Sequence, residues 1–205
     1  MRVDKVIIKA FISTFSAIVL LFGFMFGVLS LAFPSTMMEL SYDFGRDETS
    51  IRYAERAYDW FADPYYMAYA MEVAISSDNQ EKIETCGEEL TKDEEYFTQY
   101  CAEKQAALDT QADLLGVTMN YEDILYGKIA VAKYKQGKKE EAVNYAFDTL
   151  KGGFSLDNSV MAVFYSAVGD QDTVNMIKGK MNERAVNVAE EDKATFDEML
   201  ARMSK

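Results

Sequence analysis

The residues able to carry out chemistry are few in this chain of 205 residues, which contains no histidine. Imidazole bases, histidine-ligated metals and histidine-activated nucleophiles are therefore excluded. Carboxylates, tyrosines and lysines can act as general acids and bases, but no paired-carboxylate motif, nucleophile elbow or phosphate-binding loop accompanies them. We therefore predict a non-catalytic protein without a cofactor or metal, and an enzyme that uses these residues alone is the remaining alternative.

The two cysteines, Cys86 and Cys101, are 15 residues apart. This separation suits two antiparallel helices joined near Thr91. Outside the cytoplasm the pair could form one disulfide, but two buried thiols fit the spacing equally well. The sequence leaves both alternatives open.

Aromatic residues are concentrated between residues 58 and 69. Trp and Tyr are favoured at the centres of protein interfaces, so this set is a candidate surface for a partner. Aromatic residues at helical spacing also fill helical cores, which is the alternative. The candidates are Tyr58, Trp60, Phe61, Tyr65, Tyr66 and Tyr69.

Charge restricts the class of partner. After Pro34 the chain has 18 basic and 33 acidic residues, a net charge of −15. Nucleic acids and anionic lipid surfaces are bound by clustered Lys and Arg, so neither is expected as the main partner. One local basic patch could pair with an acidic neighbour, and it comprises Lys133, Lys135, Lys138 and Lys139.

An uncharged stretch of 24 residues, residues 10–33, precedes Pro34. As a helix it would reach about 36 Å, more than the roughly 30 Å hydrocarbon core of a bilayer. The sequence therefore predicts a transmembrane helix. A cleaved signal peptide with Ser30-Leu31-Ala32 at its cleavage site is the alternative, although signal cores usually have only about 7–15 apolar residues.

The charges that flank this stretch predict its orientation. Arg2, Lys5 and Lys9 precede it, whereas Glu39 and Asp43 are the first charges after it. Because positive charge near a spanning helix tends to stay in the cytoplasm, we expect residues 1–9 inside and residues 35–205 outside. The prediction is a single-pass protein of the cell membrane.

Small residues mark one face of the predicted span. Gly23 and Gly27 form a GxxxG pair, and Ser16 and Ser30 lie on the same helical face. Such a stripe allows a second helix to approach closely, in a homodimer or with another membrane protein. Small residues are also common in spanning helices without a specific contact.

Behind the span the sequence predicts helices only, and the fold class is all-α. Expected caps are Asp63-Pro64, a capping box of Thr91 with Glu94, and Asn120. Breaks are expected at Gly116 and Gly152-Gly153. The predicted helices are residues 35–44, 48–61, 64–76, 80–90, 93–115, 120–136, 138–151, 160–168, 170–188 and 192–203.

One segment has the spacing of a known repeat. Ala130 is followed at offsets of seven, five and four residues by Gly137, Ala142 and Ala146. Small side chains allow two helices to pack closely, and glycine allows the turn between them. This segment resembles a tetratricopeptide repeat. The resemblance recurs in poorer copies containing Ala162 and Gly169, Gly45 with Ala54 and Ala57, and Ala70 with Ser77.

The resemblance implies an α-solenoid of helical hairpins whose concave face binds proteins or peptides. It implies a non-catalytic scaffold held at the membrane. An accessory subunit of a larger membrane complex, held by the transmembrane helix, is the second functional hypothesis. An irregular helical bundle is the alternative to the repeat architecture.

Overall fold

The computed structural model describes residues 2–115, 120–150, 156, 158–185, 188–190 and 192–203. Within these ranges the chain forms eleven α-helices and no strand, so the predicted all-α class is confirmed. The helices are α1 Arg2–Ala32, α2 Pro34–Asp43, α3 Asp47–Phe61, α4 Tyr65–Ser76, α5 Gln80–Leu90, α6 Glu94–Leu115, α7 Tyr121–Lys135, α8 Lys139–Asp148, α9 Ser159–Ser166, α10 Gln171–Arg184 and α11 Lys193–Met203.

The helix bounds agree closely with the sequence patterns after Pro34. The largest difference is at the end of α10, which stops at Arg184 instead of Val188. The breaks expected at Gly116 and at Gly152-Gly153 lie outside the described residues. The first helix starts earlier than the predicted span of residues 10–33, because α1 begins at Arg2 and runs without interruption to Ala32.

Within α1, the stretch Ile7–Ala32 is long and apolar enough to cross a membrane. Its 26 residues would extend about 39 Å as a helix, and none of its hydrophobic window is buried within the protein. An N-terminal signal sequence can meet the same criteria of length and composition.

The chain divides into two compact units, Met1–Tyr66 and Met67–Lys205. In the first, α2 packs against α3. Ile51 and Ala54 of α3 are fully buried, and the Ser50 hydroxyl donates a hydrogen bond to the Met38 carbonyl at 2.8 Å. Phe61, which continues the same helical stripe, is 56% exposed because it lies at the end of the helix.

In the second unit, α7 is the central helix and packs against α5, α8 and α9. Close approach depends on glycine. A Cβ atom at Gly87 of α5 would lie 2.6 Å from the Ile129 side chain of α7, and one at Gly127 would lie 3.1 Å from the Ala162 Cβ of α9. Both distances are shorter than ordinary carbon contacts, so these glycines allow the helices to pack.

Turns between successive helices use left-handed backbone. Gly137 joins α7 to α8 with φ +83°, and Gly169 joins α9 to α10 with φ +98°. After Gly137, the Lys138 N–H donates to the Lys133 carbonyl at 3.1 Å, which closes the helix end as a Schellman motif. At the end of α4 the left-handed position is occupied by Asp78, with φ +54°. The predicted repeat places Ser77, one residue earlier, at the position of the turn glycine.

Side-chain caps start most helices of the second unit. Asn120 accepts hydrogen bonds from the N–H groups of Glu122 and Asp123, as predicted. The capping box predicted for α6 is wrong. Asp93, which is closer to the first turn, accepts from the Tyr96 N–H at 3.0 Å, and the Thr91 hydroxyl instead donates to the Glu88 carbonyl.

The core of the second unit is continuous through its C-terminal helices. Apolar residues of α8, α9, α10 and α11 are buried together, and several are methionines, which adapt to irregular gaps. By contrast, the buried residues of α6 between Glu94 and Asp109 lie near its start, at Phe97, Tyr100 and Cys101. Ala107, on the same side of the helix, is exposed.

Candidate functional site

A cleft of about 340 Å³ opens on one side of the second unit. Its main wall is one face of α7, because Ile124, Lys128, Val131 and Lys135 recur at helical spacing. Residues from α4, α5 and α9 complete it. The floor is apolar and comprises Ile75, Ile83, Ile124, Val131 and Ala162, whereas the rim carries Asp78, Gln80, Lys128, Lys135 and Ser166.

The rim of the cleft is polar and contains one ion pair. Lys135 Nζ lies 3.3 Å from Asp78 Oδ1, and both side chains are well exposed. An exposed pair of this kind is worth at most about 1 kcal/mol, so a ligand could displace it at small cost. Lys128 is exposed beside it. The arrangement suits a ligand with apolar side chains and a negatively charged group.

A buried ionic network holds α5 against α7 beside this cleft. Glu84 Oε1 lies 2.9 Å from Lys133 Nζ, and the two side chains are only 6% and 7% exposed. Lys138 Nζ lies 2.7 Å from the other carboxylate oxygen, and Gln136 donates to it as well. Lys133 also pairs with Glu88. The carboxylate of Glu84 is therefore surrounded by donors.

The network shifts the ionisation of its members. Burial alone raises the pKa of Glu84, but hydrogen bonds from Lys138, Lys133 and Gln136 and the charge of Lys133 outweigh burial, so its pKa lies below the usual value. Burial lowers the pKa of Lys133, but Glu88 and Glu84 outweigh this effect and its pKa is raised. Both groups are therefore charged at neutral pH.

The predicted basic patch has acidic partners within the chain itself. Lys133 and Lys138 pair with Glu84, Lys135 pairs with Asp78, and Lys139 Nζ lies 2.7 Å from Asp170 Oδ2. Hydrogen bonds from Lys139 and Thr173 lower the pKa of Asp170 to about 2. These lysines therefore stabilise the packing of neighbouring helices.

The aromatic candidates are divided between the two units. In the first unit, Trp60, Phe61 and Tyr65 are about half exposed, and their rings form edge or tilted contacts along the series Trp60, Phe61, Tyr66 and Tyr65. Tyr58 and Tyr66 are half-buried. Tyr69 belongs to the second unit, where it is half-buried on α4.

The cysteines are buried thiols in the structure, Cys86 on α5 and Cys101 on α6. This is the second of the two alternatives that the sequence leaves open.

The repeat positions lie at helix contacts and turns. Ala130, Ala142 and Ala146 are fully buried in α7 and α8, and Ala162 lies against Gly127. Gly45, like Gly137 and Gly169, has a positive φ angle in the turn after a helix.

The small-residue face of α1 is open. A Cβ atom at Gly23 or Gly27 would meet no neighbouring atom within 4 Å. Ser16 is exposed, and the Ser30 hydroxyl donates to the Gly27 carbonyl at 2.9 Å.

No protein family matches this chain. The comparisons with curated proteins and with solved structures also gave no match.

The sequence analysis did not predict the cleft, although the pattern that forms its α7 wall is visible in the sequence. Ile124, Lys128, Val131 and Lys135 follow a helical period that marks one face of α7. The contributions of Ile83 and Ala162 depend on which helices pack against α7, and periodicity within one helix carries no such information.

Proposed function

We propose that this chain is a membrane-anchored, non-catalytic protein-binding module whose second unit holds a peptide segment of a partner in the cleft on α7. The observation that carries the proposal is the combination of an apolar floor with a charged, exposed rim. Binding sites for peptides commonly have this composition, since the floor provides affinity and the rim fixes orientation.

The packing order of the helices supports a repeat-like binding surface. α7 contacts α8 and α9, and α8 contacts α9 and α10. Consecutive hairpins stacked in this manner resemble the arrangement of tetratricopeptide repeats, in which the first helices of successive hairpins line the binding face. In this proposal α7 and α9 are the two first helices, and both contribute to the cleft.

The proposed ligand is a segment with apolar side chains and a carboxylate. Apolar groups would cover Ile83, Ile124 and Val131, and the carboxylate would pair with Lys128 and replace Asp78 at Lys135. A basic segment would meet Lys128 and Lys135 at the rim and is disfavoured.

Anchoring is the second part of the proposal. α1 would remain in the bilayer as a single-pass anchor, with Arg2, Lys5 and Lys9 in the cytoplasm and residues 35–205 outside it. The supporting observation is that the helix is continuous, apolar over 26 residues and unburied. Retention of α1 in the mature chain is testable by intact-protein mass measurement.

Substitution in the cleft tests the binding proposal. Val131→Arg places a charged side chain on the apolar floor and should abolish co-purification of a bound protein with the full-length chain from detergent-solubilised membranes. Val168→Arg is the matched control, since Val168 is 71% exposed and outside the cleft. Equal recovery of the bound protein with both variants would contradict the proposal.

A second candidate function is an accessory subunit of a larger membrane complex, held through α1. The face at Gly23 and Gly27 favours it, because a Cβ atom at either glycine would meet no atom within 4 Å, which leaves space for a partner helix. The same face could also serve a homodimer. These two functions are compatible, since one uses α1 and the other uses the second unit.

A further inference from the structure

The first unit contains a crevice of about 420 Å³ where the last turns of α1 meet the exposed face of α3. Its lining residues are Gly27, Ser30 and Leu31 on the α1 side and Thr49, Arg52, Tyr53 and Arg56 on the α3 side. The α3 residues share one face, opposite the buried face formed by Ile51 and Ala54. This α1–α3 crevice is separate from the cleft on α7.

Two arginines converge on the crevice. Arg56 Nη1 donates to the Ser30 carbonyl at 3.1 Å, and its guanidinium lies 5.7 Å from the centroid of the Tyr53 ring. Arg52 Nη2 lies 3.4 Å from the Thr49 hydroxyl. These contacts are to a carbonyl, a ring and a hydroxyl, and none is to a carboxylate. Because each guanidinium carries five N–H donors, most of them are available to a bound anion.

The position of the crevice along α1 indicates which anion it meets. Gly27 and Ser30 belong to the last two turns of the apolar stretch that ends at Ala32. In a helix that crosses a bilayer, these turns leave the hydrocarbon core and enter the phosphate layer of the headgroups. With α1 anchored as proposed above, on which this inference rests, the crevice lies at the level of phospholipid phosphates.

The surface of the first unit has the composition of a membrane interface. Beyond α1, its exposed large apolar side chains are Phe33, Leu40, Tyr42, Phe44, Trp60, Phe61 and Tyr65, whereas the described part of the second unit exposes only Tyr165 and Val168 among such residues. Exposed aromatic side chains concentrate at the boundary between headgroups and acyl chains.

We propose that the α1–α3 crevice binds the phosphate of an anionic phospholipid headgroup, with Arg52 and Arg56 as its ligands. Guanidinium groups bind phosphate through paired N–H donors, and the Thr49 hydroxyl can add a third hydrogen bond. Two adjacent positive charges disfavour the quaternary ammonium of a zwitterionic choline headgroup. In an otherwise acidic chain, this local pair would attach the first unit to anionic lipid.

The chain carries its own reporter for this site. Trp60 is the only tryptophan, it is exposed, and it lies one helical turn after Arg56 on the same face of α3. Bromine atoms placed high on a lipid acyl chain quench tryptophan fluorescence only at short range. Quenching by a brominated lipid therefore measures how often that lipid is next to the crevice.

The test uses the full-length chain in phosphatidylcholine vesicles that contain a minor fraction of phosphatidylglycerol. Bromine is placed on one lipid in the first sample and on the other lipid in the second. We expect brominated phosphatidylglycerol to quench Trp60 well beyond its mole fraction. Arg52→Gln should lower this enrichment about fivefold, since one arginine near anionic lipid contributes about that factor.

Matched variants separate a built site from general attraction. Arg46→Gln removes the same charge from the first unit outside the crevice and should leave the enrichment unchanged. Arg56→Gln should act like Arg52→Gln. Quenching by brominated phosphatidylcholine should persist in every variant, which shows that the first unit still meets the membrane.

Three outcomes would overturn the proposal. The first is that, with the unmodified chain, brominated phosphatidylglycerol quenches Trp60 only in proportion to its mole fraction in the vesicle. The second is an equal loss of enrichment in Arg46→Gln and Arg52→Gln, which would indicate nonspecific attraction. The third is an undiminished enrichment in both Arg52→Gln and Arg56→Gln, which would show that these arginines do not bind the lipid phosphate.

Discussion

Removing one member of the buried network between α5 and α7 should destabilise the second unit unequally, depending on which member is removed. Glu84→Leu leaves Lys133, only 7% exposed, with Glu88 as its remaining acidic partner. Leaving a buried charge without adequate compensation costs about 3–5 kcal/mol, and the Glu88 pair places the expected loss at the lower end, about 3 kcal/mol.

The converse variant should be milder. Lys133→Met leaves Glu84 with Lys138 and Gln136, both of which contact its carboxylate. We therefore expect a loss of about 1.5–2 kcal/mol, at the lower end of the range for a hydrogen bond to a charged group. The double variant should be less destabilised than the sum of the two single variants, by about 1–3 kcal/mol, because neither charge is then left behind.

The assay is urea unfolding of the full-length chain in a mild detergent, followed by circular dichroism at a helical band. The matched control is the exposed pair on the same two sides of the cleft, Asp78 and Lys135. Asp78→Asn and Lys135→Met should each cost less than about 1 kcal/mol. Additive losses for Glu84→Leu and Lys133→Met, or control losses of equal size, would refute the reasoning.

Three further predictions use the same unfolding assay or a membrane readout. Gly87→Ala should destabilise the chain by about 1–3 kcal/mol, because its Cβ would meet Ile129, whereas Gly179→Ala, with no neighbour within 4 Å, should stabilise it by about 0.5–1 kcal/mol. Because folding lowers the pKa of Glu84, the ionised carboxylate stabilises the folded chain above about pH 4.5, and this stabilisation is lost as the pH falls through the folded pKa. Glu84→Gln should therefore flatten the fall in stability at acid pH. Gly23→Ile should release any partner helix without changing the unfolding midpoint, since a Cβ atom at this position would meet no atom of this chain within 4 Å. A destabilised Gly179→Ala, an unchanged fall in stability at acid pH or a shifted midpoint for Gly23→Ile would count against the respective prediction.

Local signals in the sequence determined most of the helices. Proline at the start of α2, Asn120 at the start of α7 and Gly137 after α7 act within a few residues, so their effects can be recognised without knowing the fold. The capping box at Thr91 failed for a local reason as well. Thr91 and Asp93 lie two residues apart and are both of types that cap helices, so only the backbone geometry distinguishes them.

Long-range features could not be predicted in the same manner. Glu84 and Lys133 are 49 residues apart, and their pairing depends on the packing of α5 against α7. The same is true of the α1–α3 crevice, where Arg56 meets a carbonyl 26 residues earlier in the chain. The predicted basic patch illustrates this limit, because its lysines are visible in the sequence but their partners are not.

The sequence also predicts only in part which apolar residues are buried. Phe61 fits the helical period of Ile51 and Ala54, yet it is exposed because it is the last residue of α3. In α6 the apolar period continues from the buried Cys101 to Ala107, which is exposed. Periodicity therefore identifies the apolar face of a helix. How far along the helix that face is buried depends on the neighbouring helices.

The most direct test of the account is site-specific photo-crosslinking of the full-length chain in intact cell membranes. A photoreactive residue in place of Lys128, on the cleft rim, should give a discrete adduct with one protein, and Val131→Arg should remove that adduct. The same photoreactive residue in place of Glu140, which is exposed on α8 outside the cleft, should give no such adduct. The same adduct from both positions, or an adduct at position 128 that survives Val131→Arg, would contradict a docking cleft on α7.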